Sequence, residues 1–131
     1  RSPKVKQMLK HHSCSVLLYD QKRKMQLRAD CQVMIHHHNS VSKEIWNNTP
    51  LQSRKCYMGE LNPSDTLDNW NPNVPTKYLK KDPDKLSSES GYENFTAIQL
   101  IVQYLDVLEL HHDGHVRFGV DSKGQFVFLA P

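Results

Sequence analysis

The 131 residues carry 17 Lys and Arg against 14 Asp and Glu, a formal charge of +3. That length supports one domain with a single core, and so balanced a charge, with no basic run interleaved with aromatics, leaves no footprint for nucleic acid. Cys14, Cys31 and Cys56 make an odd number without a CxxC pair, which argues against a disulfide framework and for a reducing, cytoplasmic compartment. No apolar run approaches the roughly 20 residues that span a bilayer, and no signal sequence is visible, so no membrane partner is expected.

Ser2-Pro3-Lys4 predicts a helix start, with Ser2 as N-cap, Pro3 in the first turn and Val5, Met8 and Leu9 as the apolar stripe. Ser15 to Asp20 predicts a compact apolar strand, and Gln21 to Lys24 a charged turn. The next strand has the clearest period in the chain. Met25, Leu27, Ala29, Cys31, Val33 and Ile35 alternate with polar residues, and only Met34 breaks the pattern up to His36. Together the two strands form an antiparallel hairpin.

Ser40 to Asn48 has helical character, and Pro50 opens a second short helix, Leu51 to Tyr57, that Gly59 ends. Residues 60–92 form a long surface loop, punctuated by prolines and without a sustained period. Asn94 to Tyr104, apolar on both faces, predicts a central and deeply buried strand. Leu105 to His112 alternates again, Asp113-Gly114 predicts a two-residue hairpin turn, and Ser122-Lys123-Gly124 turns into a last strand, Phe126 to Leu129. About six strands of antiparallel connection with few helices imply an all-β barrel or sandwich.

Candidate chemistry is sparse. Arg1, Ser2 and Lys4 place two cations and a hydroxyl at a helix N-terminus, which suits a phosphate and equally suits an ordinary capped helix. Gln26 and Arg28 lie on the polar face of the long strand, where an amide could meet the edge of a heteroaromatic ring or merely face solvent. Of the eight histidines, His36 to His38 cannot converge because neighbours in an alternating strand point to opposite faces, and His111 and His115 could meet across the hairpin but no Cys or carboxylate at ligand spacing joins either group, so no metal is assigned. Cys56 has basic neighbours but no local His or Asn to make a nucleophile pair, and it fits a buried helix position.

The order of these pieces is more telling than any one. RSPK at a helix start, VLLYD before a charged turn, MQLR in a long strand, a Trp-bearing helix followed by Ser53-Arg54, then ENF, HVRF and a terminal LAP resemble the pyridoxamine 5'-phosphate oxidase-like FMN-binding family. The resemblance implies a split β-barrel, all-β with a few short helices, working as a homodimer with FMN at the subunit interface. The family also has strands upstream of the position of Arg1, which this sequence does not contain.

By that resemblance Arg1, Ser2 and Lys4 grip the FMN phosphate, and Gln26 and Arg117 contact the flavin. His115, Ser53 and Arg54 stand where the substrate binds. Asp113 replaces an arginine of the true oxidases, and Trp46, Pro50 and Arg54 or Ser53 replace most of their substrate-phosphate set. The implied activity is therefore FMN-dependent oxidoreduction of an unnamed small molecule, as in the family's uncharacterised relatives, with no catalytic residue assigned. The alternatives are a barrel that holds flavin or haem without turnover, and a structural dimer without cofactor.

Overall fold

Asp20 shows how the first hairpin closes. Its carboxylate accepts the backbone N–H groups of Lys22 and Arg23 at 3.0 and 3.1 Å, satisfying two turn donors with one side chain. In this computed structural model, which describes residues 1–131, the chain forms two compact units. One comprises Arg1–Leu9 and Ile35–Ile98, the other Lys10–Met34 and Gln99–Pro131.

The second unit is built on a sheet. Strands β1 (Ser13–Asp20) and β2 (Met25–His36) pair antiparallel, from Ser13 opposite Gln32 to Asp20 opposite Met25. β3 (Ala97–Glu109) pairs with β4 (Val116–Asp121), and β4 with β5 (Phe126–Leu129), all antiparallel. Leu110 donates its N–H to the Lys24 carbonyl at 2.9 Å, so the end of β3 lies beside the start of β2 and those strands also oppose each other. The order is β1-β2-β3-β4-β5, with β1 and β5 as edges.

The structure corrects the sequence on four points. The sheet is open rather than a closed barrel, and it has five strands instead of about six. Tyr104 and Leu105 lie within one continuous strand, since nothing between them breaks an extended chain. Asp113-Gly114 is part of a longer connection, because pairing resumes only at Val116 opposite Glu109. Gly114 supplies the positive φ of +126° that this turn requires, and the His111 N–H bonds His115 Nδ1 across it at 3.3 Å. Finally, β3 is not the most buried segment. Val107 is in the core, but Leu100, Ile101 and Val102 are exposed, as are Leu17, Leu18 and Tyr19 on β1 and Phe126 to Phe128 on β5.

The first unit is mostly helical. Helix α1 (Pro3–Lys10) opens the chain, and α2 (Ser40–Asn48) is capped by Asn39, whose side chain and Ser42 exchange bonds with each other's backbone N–H at 3.0 Å. α3 (Leu51–Arg54) runs into a 3-10 turn, Lys55–Tyr57. The expected loop of residues 60–92 is more ordered than its composition implies: it holds a turn at Thr76–Tyr78, α4 (Lys85–Ser88) and part of a 3-10 segment, Glu89–Asn94. Tyr78, Pro83, Ser88 and Gly91 within it are buried. Helical turns of three or four residues, begun just after Pro75 and Pro83, have no period long enough to read.

Trp46 is the centre of this unit, fully buried, with the rings of Phe95, Tyr57 and Tyr92 at 5.3, 5.8 and 5.8 Å. Such aromatic clusters add about 0.5–1.5 kcal/mol per pair beyond the area they bury. Its indole N–H donates to Glu89 at 3.1 Å, so the one polar atom of the ring is satisfied.

Candidate functional site

The start of α1 opens onto a cavity of about 290 Å³, just below the usual range for small-molecule sites of about 300–1,000 Å³. Arg1, Ser2 and Lys4 line it with Val5, Cys56, Tyr57, Asn73, Asn94, Thr96 and neighbouring apolar residues. No carboxylate is among them, and the first turn of α1 has no acid. The Ser2 carbonyl accepts the N–H groups of Val5 and Lys6 at 3.1 and 3.2 Å, while Pro3 has no N–H to offer. The positive helix end and two cations thus face one concave space with nothing negative to neutralise them.

Arg1 is placed by distant parts of the chain. Its guanidinium donates to the carbonyls of Gly59 and Glu60 at 2.9 and 3.0 Å, leaving further N–H groups uncommitted. Gly59 is needed there, because a Cβ would collide with the Asn73 carbonyl and side chain. Asn73, at φ +52°, in turn bonds both backbone groups of Leu61 at 3.0 Å. Cys56, expected to be buried, is exposed on the 3-10 turn.

A second constellation lies in the sheet unit. Asp106 on β3 is 6% exposed and is held by two arginines. Arg117 donates to it twice, Nε to Oδ1 at 2.9 Å and Nη2 to Oδ2 at 2.7 Å, and Arg28 donates Nη2 to Oδ2 at 2.7 Å. The Arg117 hydrogen bonds hold the Asp106 carboxyl below its usual range despite burial, and Asp106 raises Arg117 in return. One carboxylate between two guanidiniums leaves a net positive charge, with Nη1 of Arg117 making no hydrogen bond within the chain.

Gln26 sits two residues before Arg28 on β2, half-buried, so the two side chains share a sheet face. His115 is exposed at the β3–β4 connection, its Nδ1 taken by the His111 N–H.

Arg54 and Ser53 are different in kind. The Arg54 side chain is 2% exposed and all five of its N–H groups are used: Nε on Thr49 O at 3.1 Å, Nη1 on Ser88 and Glu89 at 3.1 and 2.9 Å, Nη2 on the carbonyls of Trp46 and Asn47 at 2.7 and 3.2 Å. It has no donor left for a substrate. Ser53, one residue earlier, is exposed. The structure therefore groups Arg1, Ser2 and Lys4 in one cavity and gives Arg54 a different occupation. Asp106 was missed, although an acid inside the apolar run of β3 is the kind of residue that must find a partner.

By sequence the chain matches no family model and no curated protein. By structure it superposes on a pyridoxamine 5'-phosphate oxidase-related, FMN-binding protein from Nostoc punctiforme PCC 73102, with TM-score 0.66, 13% identity and 99% of this chain covered. It also superposes on PhzG from Burkholderia lata 383, solved with tetrahydrophenazine-1-carboxylic acid, with TM-score 0.68, 16% identity and the same coverage. The chain shares their fold. It spans 69% of the first protein and 64% of the second. The fold found by superposition is the one that the resemblance of the sequence motifs implies. No helix in the chain is long and apolar enough to cross a membrane.

Proposed function

We propose that this chain binds FMN, with the flavin phosphate in the cavity at the start of α1, and serves the oxidoreduction of a small molecule. The observation that carries this reading is the cavity itself: Arg1, Ser2 and Lys4 converge on it, and no carboxylate lines it. A phosphate dianion fits that donor set, because charge-assisted hydrogen bonds from guanidinium, ammonium and backbone N–H are the strong ones. Arg1 and Lys4 would bind the phosphate, and Ser2 would orient it.

Gln26 and Arg117 are proposed separately, on the sequence resemblance, as contacts to the flavin ring, and His115 and Ser53 as contacts to substrate. Arg54 is left out because its donors are spent. Bound FMN would supply the redox chemistry, while the protein supplies binding, orientation and electrostatics. The apolar residues exposed on β1, β3 and β5 support a homodimer, since large apolar patches are normally covered by a partner.

Titration of the purified protein with FMN, followed by flavin absorption and fluorescence, tests the reading. Shifted bands with micromolar affinity are expected, and Lys4→Ala should weaken binding by about 1.5–3 kcal/mol, the worth of a hydrogen bond to a charged group. An unchanged affinity in that variant removes the phosphate assignment, and a flat titration of the parent protein removes the flavin.

A further inference from the structure

Cys14 on β1 and Cys31 on β2 are direct cross-strand partners. The Val33 N–H donates to the His12 carbonyl at 2.9 Å, which marks residues 12 and 33 as a hydrogen-bonded pair. Pair type alternates along an antiparallel ladder, so Cys14 and Cys31, two steps further on, form another such pair. The Cα separation of that pair type is about 5.5 Å, inside the window of about 4.4–6.8 Å for a disulfide, and directly opposed side chains leave the same face of the sheet. Their Cβ atoms stand toward the wide end of about 4.5–5.5 Å and must close to about 3.5–4.5 Å, so the bond forms with a small shift of the two strands and is readily reduced.

Both thiols are free, Cys14 half-buried and Cys31 buried. Both also line an open hollow of about 510 Å³ with His12, Ser13, Asp30 and Gln103. We infer that Cys14 and Cys31 form a cross-strand dithiol that reacts with low-molecular-weight disulfides and closes reversibly into an intramolecular disulfide.

The accessible Cys14 attacks first. Its thiolate displaces one thiolate from the small disulfide and becomes a mixed disulfide. The Cys31 thiolate then attacks the Cys14 sulfur and expels the second thiol, so one small disulfide becomes two thiols and the protein loses two hydrogens. Burial pushes the Cys31 thiol up, with the Cys14 and Asp30 charges adding to it, which makes the second step the slower one. Nothing in this depends on FMN.

The test uses the full chain with Cys56→Ser, which removes the exposed third thiol, and oxidised glutathione as the reagent. Under native conditions the thiol titre should fall from two to none, with a cross-linked peptide joining Cys14 to Cys31 and only a transient glutathione adduct in intact-mass spectra. Adding Cys31→Ser should trap that adduct on Cys14. A lasting adduct on Cys14 while Cys31 is still present and free, or two unreacted thiols in the folded protein, would overturn the inference. The time course in the Cys56→Ser protein decides the matter by itself should the Cys31 variant fail to fold.

Discussion

Each of the two units carries an arginine–carboxylate cluster, and the two are built the opposite way round. In the helical unit the arginine is buried and saturated: Arg54 spends every N–H inside the protein, on the partly exposed Glu89 among others. In the sheet unit the carboxylate is buried and the arginines stand further out, Arg28 with half of its side chain exposed and Arg117 with about a third. The first arrangement satisfies a charge that packing against Trp46 has enclosed. The second presents guanidiniums with donors to spare. Two identical residue types thus differ in what they can bind, and the difference lies in which partner is enclosed.

The largest expected effect is at Arg54. Arg54→Met removes the buried guanidinium, leaves the Asn47 and Thr49 carbonyls without that donor and the Trp46 carbonyl with only the Thr49 N–H, which should cost about 3–5 kcal/mol in urea unfolding. A loss below 1 kcal/mol would mean that the enclosure of Arg54 is not what holds α2 to α3.

Asp106→Asn comes next. It keeps the shape but removes the charge that two arginines share, and a loss of about 1–3 kcal/mol is expected in the same measurement. Were that variant as stable as its parent, the sheet cluster would be surface decoration.

Acid titration sharpens the same contrast. Asp106 is lowered mainly by its hydrogen bonds from Arg117, and Glu89 mainly by that from Lys43. A carboxyl lowered in the folded state contributes stability that is fully present above its unfolded value of about 3.9–4.3 and is lost as pH falls through the folded value. Stability followed by circular dichroism should therefore decline below about pH 4, and Asp106→Asn should flatten part of that decline. A parent protein whose stability rises on acidification would contradict both assignments. The smallest effect is expected at Ser53: the side chain is exposed and makes no hydrogen bond within the chain, so Ser53→Ala should stay within about 0.5 kcal/mol in stability, and any loss of turnover in a flavin assay would report on substrate alone.

What could be read from the sequence follows period. β2, from Met25 to His36, and α2, from Ser40 to Asn48, appear with the expected ends, because an alternation broken only at Met34 and nine helical positions leave little choice. The motif order led to the fold that the superpositions found. The segment 60–92 was misread because its turns are too short to repeat.

β3 was misread for a different reason. A strand apolar on both faces states that Leu100, Ile101 and Val102 need cover, but not that the cover must come from this unit. Of the candidate site, the cations at the α1 start were legible because a helix dipole disfavours them without an anion. Arg54 was not: a guanidinium is read the same way in sequence whether it faces a ligand or five carbonyl and side-chain acceptors.

The approach of Gly59 to Asn73 has a genetic consequence. Because any side chain at position 59 would push against residue 73, and because the same peptide's carbonyl holds Arg1, three positions far apart in the gene are tied to one piece of geometry. A scan of all single substitutions should therefore show 59 as a position that accepts one amino acid, with its harm spreading to the grip on Arg1. A smaller residue at 73 should not suppress a Gly59 change, because the backbone carbonyl of residue 73, which every amino acid keeps, stands nearest to the added carbon.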